Sequence, residues 1–263
     1  LAGKARHGAD GNVRPPAMNI ADTLHSVARY LPDRPALSWD GGSLTYRQLE
    51  QQVAAIAGGL VARHGLQPGD RVAIALENAP EFYPALYGIW RAGLTAVPIN
   101  NKLHAKEMAW IIDNSGARLC IAGAKIAEGL SAQPSMPTIV VAGSMDYQAL
   151  LAGTPITVAP DSEPACAWLF YTSGTTGRPK GAMLTHANLL FALHAYYADI
   201  DYIDDRDTIL HAAPLSHGSG LYGLAHIARG SHNVLLPGSF EPDRVFDALR
   251  RYENVSMFAA PTM

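Results

Sequence analysis

From Asn19 onward the apolar residues fall into a readable order. Ile20, Leu24, Val27, Ala28 and Leu31 recur at helical spacing, with Asn19 placed to cap the helix they define. A short hairpin is predicted next, residues 36–39 and 44–46 around Asp40-Gly41-Gly42. Thr45 and Gln48 form a capping-box pattern ahead of a helix that carries Leu49, Val53, Ile56 and Leu60 on one face and stops at Gly65. An alternation then sets in. Strands are predicted at 71–76, 95–99, 118–122 and 138–141, with helices at 80–92, ended by Gly93, and 104–113, ended near Gly116. Residues 152–164, AGTPITVAPDSEP, are rich in proline and small side chains and read as a connector. Beyond them come strands at 165–171, 208–213, 233–236 and 255–259 and helices at 186–197, 219–228 and 242–252.

Strand–helix–strand order with short connections points to parallel sheets covered by helices. The expected fold is therefore α/β, with two similar layered halves, 18–151 and 165–263, joined by the connector 152–164. Strands 165–171 and 208–213 are expected to be neighbours in one parallel sheet, so that the loops after them emerge on the same edge. Residues 1–17 show no periodicity and lack the apolar core of a signal peptide, so they read as a leader or an artificial remnant, with Met18 as a natural start. The sequence stops one step after a strand, where the next crossover helix is expected, which suggests a fold incomplete at its C-terminus.

Composition narrows the function. With 263 residues, 48% hydrophobic and 16% charged, the chain has material for a substantial core. Its formal charge of −3 leaves no basic excess for general nucleic-acid binding. No apolar run is long enough to span a bilayer, since Arg91 and Pro98 interrupt the best stretch. Cys120 and Cys166 sit in apolar strand-like settings as small hydrophobes. No disulfide framework is implied, which makes a reducing cytoplasm the default.

The chemistry concentrates in YTSGTTGRPKG, residues 171–181. Hydroxyls on Thr172, Ser173, Thr175 and Thr176, the bendable Gly174 and Gly177, and the cations Arg178 and Lys180 suit an anion. The bland alternative is a solvated linker. Following a buried strand and preceding a helix, the loop lies at the carboxyl end of a strand, where open α/β sheets bind ligands. Converging backbone N–H groups would meet polyphosphate there. The Walker A pattern fails because Gly177 is followed by Arg178-Pro179-Lys180, and the dinucleotide fingerprint is absent.

YTSGTTGRPKG closely resembles the signature loop of the acyl-adenylate-forming enzymes, which include acyl-CoA synthetases, peptide-synthetase adenylation domains and luciferases. TYRQLEQQVAAIAGGL, GLQPGDRVAIALENAPEFYPALYGIWRAGLTAVPIN, IIDNSGARLCIAG and DRDTILHAAPLSHGSGL are similar to that family's N-terminal landmarks, in order, so the resemblance runs from Asn19 to Met263. It implies the large N-terminal domain of such an enzyme, truncated. It also implies ATP-dependent attack of a carboxylate on the α-phosphorus, giving an acyl-adenylate and pyrophosphate, followed by displacement of AMP by a thiol, usually that of coenzyme A. By motif position, Thr172, Ser173, Gly174, Thr175, Thr176, Gly177 and Lys180 would hold the triphosphate of MgATP, and Thr175 would help to coordinate Mg2+. His217 is similar to the residue that lines and gates the acid pocket. SHGSG, residues 216–220, looks more like an acyl-CoA synthetase than a peptide-synthetase domain. Family members continue with an adenine-pocket segment, a ribose-binding aspartate and a C-terminal domain bearing a catalytic lysine. None of these is in this sequence, so the fragment is expected to be inactive alone. The partners implied are a small carboxylic acid, fatty, aromatic or dicarboxylic, with ATP and coenzyme A. A homodimer stays open, as does a non-catalytic nucleotide- or acid-binding module.

Other sites fare worse. PLSHGSG loosely resembles α/β-hydrolase segments, but no serine satisfies Gly-x-Ser-x-Gly. The acidic run 199–207 lacks the central glycine and closing glutamate of an EF-hand. The histidines show no His-Glu-x-x-His pattern, and two isolated cysteines cannot build a Cys-rich zinc site. For His217 itself, a hydrogen-bonded histidine at a strand end remains the alternative to a gate.

Overall fold

The structure is a computed structural model that describes residues 19–159, 166–172, 179–236, 238, 240–260 and 263. Helix α1 (Ala21–Tyr30) leads into a hairpin of β1 (Pro35–Trp39) and β2 (Gly42–Thr45), and then α2 (Tyr46–His64). There follow β3 (Arg71–Ala75), α3 (Phe82–Arg91), β4 (Thr95–Pro98), α4 (Ala105–Ser115), β5 (Ala117–Ala122), α5 (Ala124–Ser131), β6 (Thr138–Val141) and α6 (Met145–Leu151). The remainder is β7 (Cys166–Thr172), β8 (Lys180–Thr185), α7 (His186–Asp199), β9 (Thr208–His211), α8 (Gly218–Ile227), β10 (His232–Leu235), α9 (Pro242–Arg251) and β11 (Val255–Met257).

Local signals account for much of this order. The Thr45 side chain accepts from the Gln48 N–H, and Gln48 reaches back to the Thr45 N–H (2.9 Å), a complete capping box for α2. Gly65 and Gly116 end α2 and α4 in the left-handed region, at φ 62° and 63°. Asn19 accepts the Ala21 N–H at 2.9 Å and donates to the Trp90 carbonyl at 2.8 Å, tying the start of α1 to α3.

Two sheets result, both parallel apart from one edge strand. The first has the order β11-β9-β10-β1-β2 and the second β6-β5-β3-β4-β7-β8, with β2 and β8 antiparallel to their neighbours. Each sheet therefore draws strands from both sides of residues 152–164: β1 pairs with β10, and β4 with β7. The expected pairing of the strands at 165–171 and 208–213 does not occur, because β7 lies in the second sheet and β9 in the first. The crossover through α7 carries the chain from one sheet to the other. Strand–helix–strand spacing fixes parallel direction but not sheet membership when a shared helical layer lies between two sheets.

That shared layer is the main core. Val72 and Ile74 of β3, Leu119 and Ile121 of β5, Leu37 of β1 and Trp168 of β7 all pack against Leu49, Ile56 and Leu60 of α2, Phe82, Leu86 and Trp90 of α3, and Leu224 of α8. The alternate residues Ala73, Ala75, Cys120 and Ala122 face the outer helices α4 and α5. On the far side of the first sheet, Leu210 and Val234 meet Val245 and Ala248 of α9. Arg91, which interrupts the apolar run of α3, is fully buried and paired with Glu50 at 2.9 Å. Among the described residues no helix is long and apolar enough to cross a membrane. Cys120 is buried as expected, Cys166 only half-buried, and both are free thiols.

Candidate active site

The motif YTSGTTGRPKG runs from β7 to β8, which pair antiparallel. Thr172 ends β7, and Lys180 begins β8 directly opposite it in the register. The strand–loop–helix setting expected from sequence is thus strand–loop–strand–helix, with β8 inserted before α7. From Lys180 to Met183, β8 is exposed and carries no apolar alternation, so periodicity has nothing to detect there. Ser173, Gly174, Thr175, Thr176 and Gly177, with the expected Mg2+ ligand Thr175 among them, lie outside the described residues.

β7 ends at the carboxyl edge of the second sheet, because it runs parallel to β4. Successive strand residues alternate faces, so Thr172 shares the face of Phe170 and Trp168, which turns toward the shared helical layer. Directly opposed residues of an antiparallel pair also share a face. Lys180 therefore stands on the same side as Thr172. Among the described residues its ammonium has no carboxylate partner, which leaves the charge available for an anion.

His217 reaches this face from the other sheet. After β9, residues 212–217 lead to α8, with His217 at its N-terminal boundary and the His217 N–H bonded to the Pro214 carbonyl at 3.1 Å. The imidazole packs on the Phe170 ring, centroids 5.4 Å apart, and its Nδ1 lies 3.3 Å from Ser216 Oγ. Burial lowers its pKa, so the ring is neutral near pH 7. His217 thus packs on β7 two positions before Thr172, on the same face, and reaches it from the other sheet. Its expected place beside the loop of residues 173–177 falls outside the described residues.

Sequence reasoning missed the residues that hold His217 there. Asn78, shortly after β3, donates from Nδ2 to the carbonyls of His211 and Ala213, each at 3.0 Å, and accepts the Leu215 N–H at 3.0 Å. His211 is fully buried; its Nδ1 bonds to Ser219 Oγ at 2.8 Å and its Nε2 to Asn233 Oδ1 at 3.0 Å. Desolvation pushes the His211 pKa down to about 4, so it acts as a neutral hydrogen-bonding ring. Gly220 leaves room that a side chain would fill: a Cβ there would fall 1.8 Å from the Leu215 carbonyl oxygen. The available signals were an asparagine followed by Ala79-Pro80 just past a buried strand, and a histidine on a strand otherwise apolar.

Comparison with known proteins agrees with the motif and the fold. The chain is 35% identical over 247 residues to feruloyl-CoA synthase of Amycolatopsis sp, an alignment covering 90% of this chain and 47% of that protein. Among solved structures it is similar to the inhibitor-bound N-terminal domain of FACL13 from Mycobacterium tuberculosis, with a TM-score of 0.81 and 29% identity. That match covers 93% of this chain and 63% of the other. O-succinylbenzoate coenzyme A synthetase from Bacillus subtilis, in complex with AMP, superposes with a TM-score of 0.79 at 28% identity, covering 95% and 62%. The chain spans about half the length of the curated relatives it matches. The family described as AMP-binding enzyme matches residues 24–263, and the chain belongs to it.

Proposed function

We propose that the full-length protein is an AMP-forming acid–CoA ligase. A carboxylate would attack the α-phosphorus of ATP, forming an acyl-adenylate and releasing pyrophosphate; the thiol of coenzyme A would then attack the acyl carbon and expel AMP. The observation that carries this reading is the single face shared by Thr172, Lys180, Phe170 and His217 at a sheet's carboxyl edge. Lys180 and Thr172, with residues 173–177 between them, would neutralise and orient the triphosphate, and Thr175 would help hold the Mg2+ that accompanies it. These are positioning and charge-stabilising roles, suited to a reaction that needs no protein nucleophile. The nucleotide brings the leaving group, and Mg2+ withdraws charge from its phosphates.

His217 would act differently. A neutral imidazole stacked on Phe170 supplies a weak hydrogen bond and a steric wall beside the acid rather than a base or a nucleophile. The similarity to feruloyl-CoA synthase and to a succinylbenzoate-activating enzyme supports a CoA ligase for an organic acid. The test is pyrophosphate release by the full-length protein over a panel of fatty, aromatic and short dicarboxylic acids, with and without coenzyme A. Acid-dependent release and a thioester product are expected; release without any thioester would reject the CoA step. The 263 residues alone are expected to show only background ATP–pyrophosphate exchange, since they span about half of such an enzyme.

A further inference from the structure

We infer that Asn78 is a positioning residue for the acid side of the site, setting from one sheet the path of the main chain that presents His217 from the other. The inference rests on the reading of His217 proposed above. Asn78 sits past the end of β3 on the carboxyl edge of the second sheet, whereas its three partners all belong to the segment that leaves β9 in the first.

The geometry is selective for an amide. Alternate residues of the segment meet the side chain: the carbonyls of His211 and Ala213 take the two Nδ2 hydrogens, and the Leu215 N–H goes to Oδ1. Aspartate would turn acceptors toward two carbonyls, and serine could donate only once. The far end of the same segment is fixed independently, where His211 Nδ1 bonds to Ser219 Oγ in the first turn of α8. Between these anchors lies Pro214, whose carbonyl accepts the His217 N–H, and just past Ser219 is Gly220, whose missing side chain lets the Leu215 carbonyl approach. Among the described residues His217 has no side-chain hydrogen bond beyond the contact with its neighbour Ser216. Its place against Phe170 is therefore set by the path of its main chain, and Asn78 contacts that path at three points.

The experiment compares Asn78→Ala, Asn78→Asp and His217→Ala in the full-length protein. It reads KM for the acid, KM for ATP, Tm, and hydrogen exchange of the Leu215 amide. Asn78→Ala is expected to raise the KM for the acid roughly tenfold or more, as small displacements of substrate-positioning groups do. KM for ATP should stay unchanged, and the Leu215 amide should exchange faster. In Asn78→Asp the acid defect should shrink as pH falls from about 7 to about 5, because a protonated carboxyl regains one donor. Should Asn78→Ala not fold, Asn78→Ser retains one bond and is read the same way. If KM for acid and ATP rise together with a falling Tm, Asn78 is only a structural bond and the inference is overturned. An impaired His217→Ala beside an unimpaired Asn78→Ala would overturn it alone. A silent His217→Ala would remove the acid-side reading itself, and this inference with it.

Discussion

The two regions that meet at the site are built in opposite ways. The β7–β8 hairpin puts its working groups on an exposed edge, with Lys180 free of any carboxylate among the described residues. The segment from His211 to Gly220 is pinned from several sides, through Asn78, Ser219, Asn233 and the close approach at Gly220. One side is specified by chemistry and the other by packing. A group that must meet a mobile polyanion needs reach and charge, while a wall for an acid needs a fixed position. Substitutions on the hairpin should therefore change activity and spare stability, and those on the pinned segment should do the reverse or both.

The largest expected effect is at Lys180. Lys180→Ala in the full-length protein should lower kcat/KM for ATP by roughly a hundred- to a thousandfold, the scale of losing one preorganised charge-stabilising group. Tm should not move, because the side chain is exposed and has no carboxylate partner among the described residues. His217→Ala should show the converse split, impairing use of the acid and thiol more than that of ATP. If both variants lose ATP and acid use equally, the division between the two regions fails.

Acid should also loosen the pinned segment and the helix α8 that follows it. His211 and His226 are buried and kept neutral, with pKa values of about 4 and about 3, chiefly through desolvation. Their folded values lie below the ordinary histidine value, so the unfolded chain takes up their protons first as pH falls. The stability they contribute is intact at neutral pH and is lost progressively from about 6.5 down to the folded pKa of each. For His211 this is on the order of 3 kcal/mol at its limit. Tm measured across that range should fall, and His211→Asn, though less stable at neutral pH, should show a shallower fall. An equal slope in both proteins would mean that other groups carry the acid sensitivity.

Gly220 tests the packing itself. Adding a Cβ that would sit 1.8 Å from a backbone carbonyl forces the segment or α8 to shift. Gly220→Ala is expected to cost about 1–3 kcal/mol in urea unfolding, the usual scale of overpacking. Wild-type stability in this variant would show the segment to be looser than its bonds imply.

The same contrast explains what could be read from sequence. The motif at 171–181 stood out because hydroxyls, glycines and cations together are the residue types an anion site calls for. The helices α2 and α4 were legible through periodicity and the stops at Gly65 and Gly116. β8 was not, since an exposed edge strand has no buried face to impose alternation. Nor was sheet membership: β3, β7 and β9 all read as strands, but which sheet each joins depends on how α7 packs in the shared layer. His217 was found by its motif, whereas Asn78 and His211 work through bonds to main chain and to residues more than a hundred positions away or on another strand. No local pattern encodes such partners.

The smallest predicted effect concerns Phe170, which touches both regions. Phe170 belongs to the hairpin strand, yet its ring meets His217 with centroids 5.4 Å apart and planes inclined by 54°. Such a pair contributes about 0.5–1.5 kcal/mol beyond area burial. Phe170→Leu keeps an apolar side chain on β7 and removes only the ring, leaving the segment's own anchors in place. The expected result is a KM for the acid raised several-fold, with KM for ATP and Tm close to wild type, because Thr172 and Lys180 still face each other through backbone pairing. A combined Phe170→Leu, Asn78→Ala protein should then be less than additive in its acid defect, since both changes release the same imidazole. Strict additivity would mean that Phe170 and Asn78 act on different parts of the pocket, and the two regions would meet somewhere other than at His217.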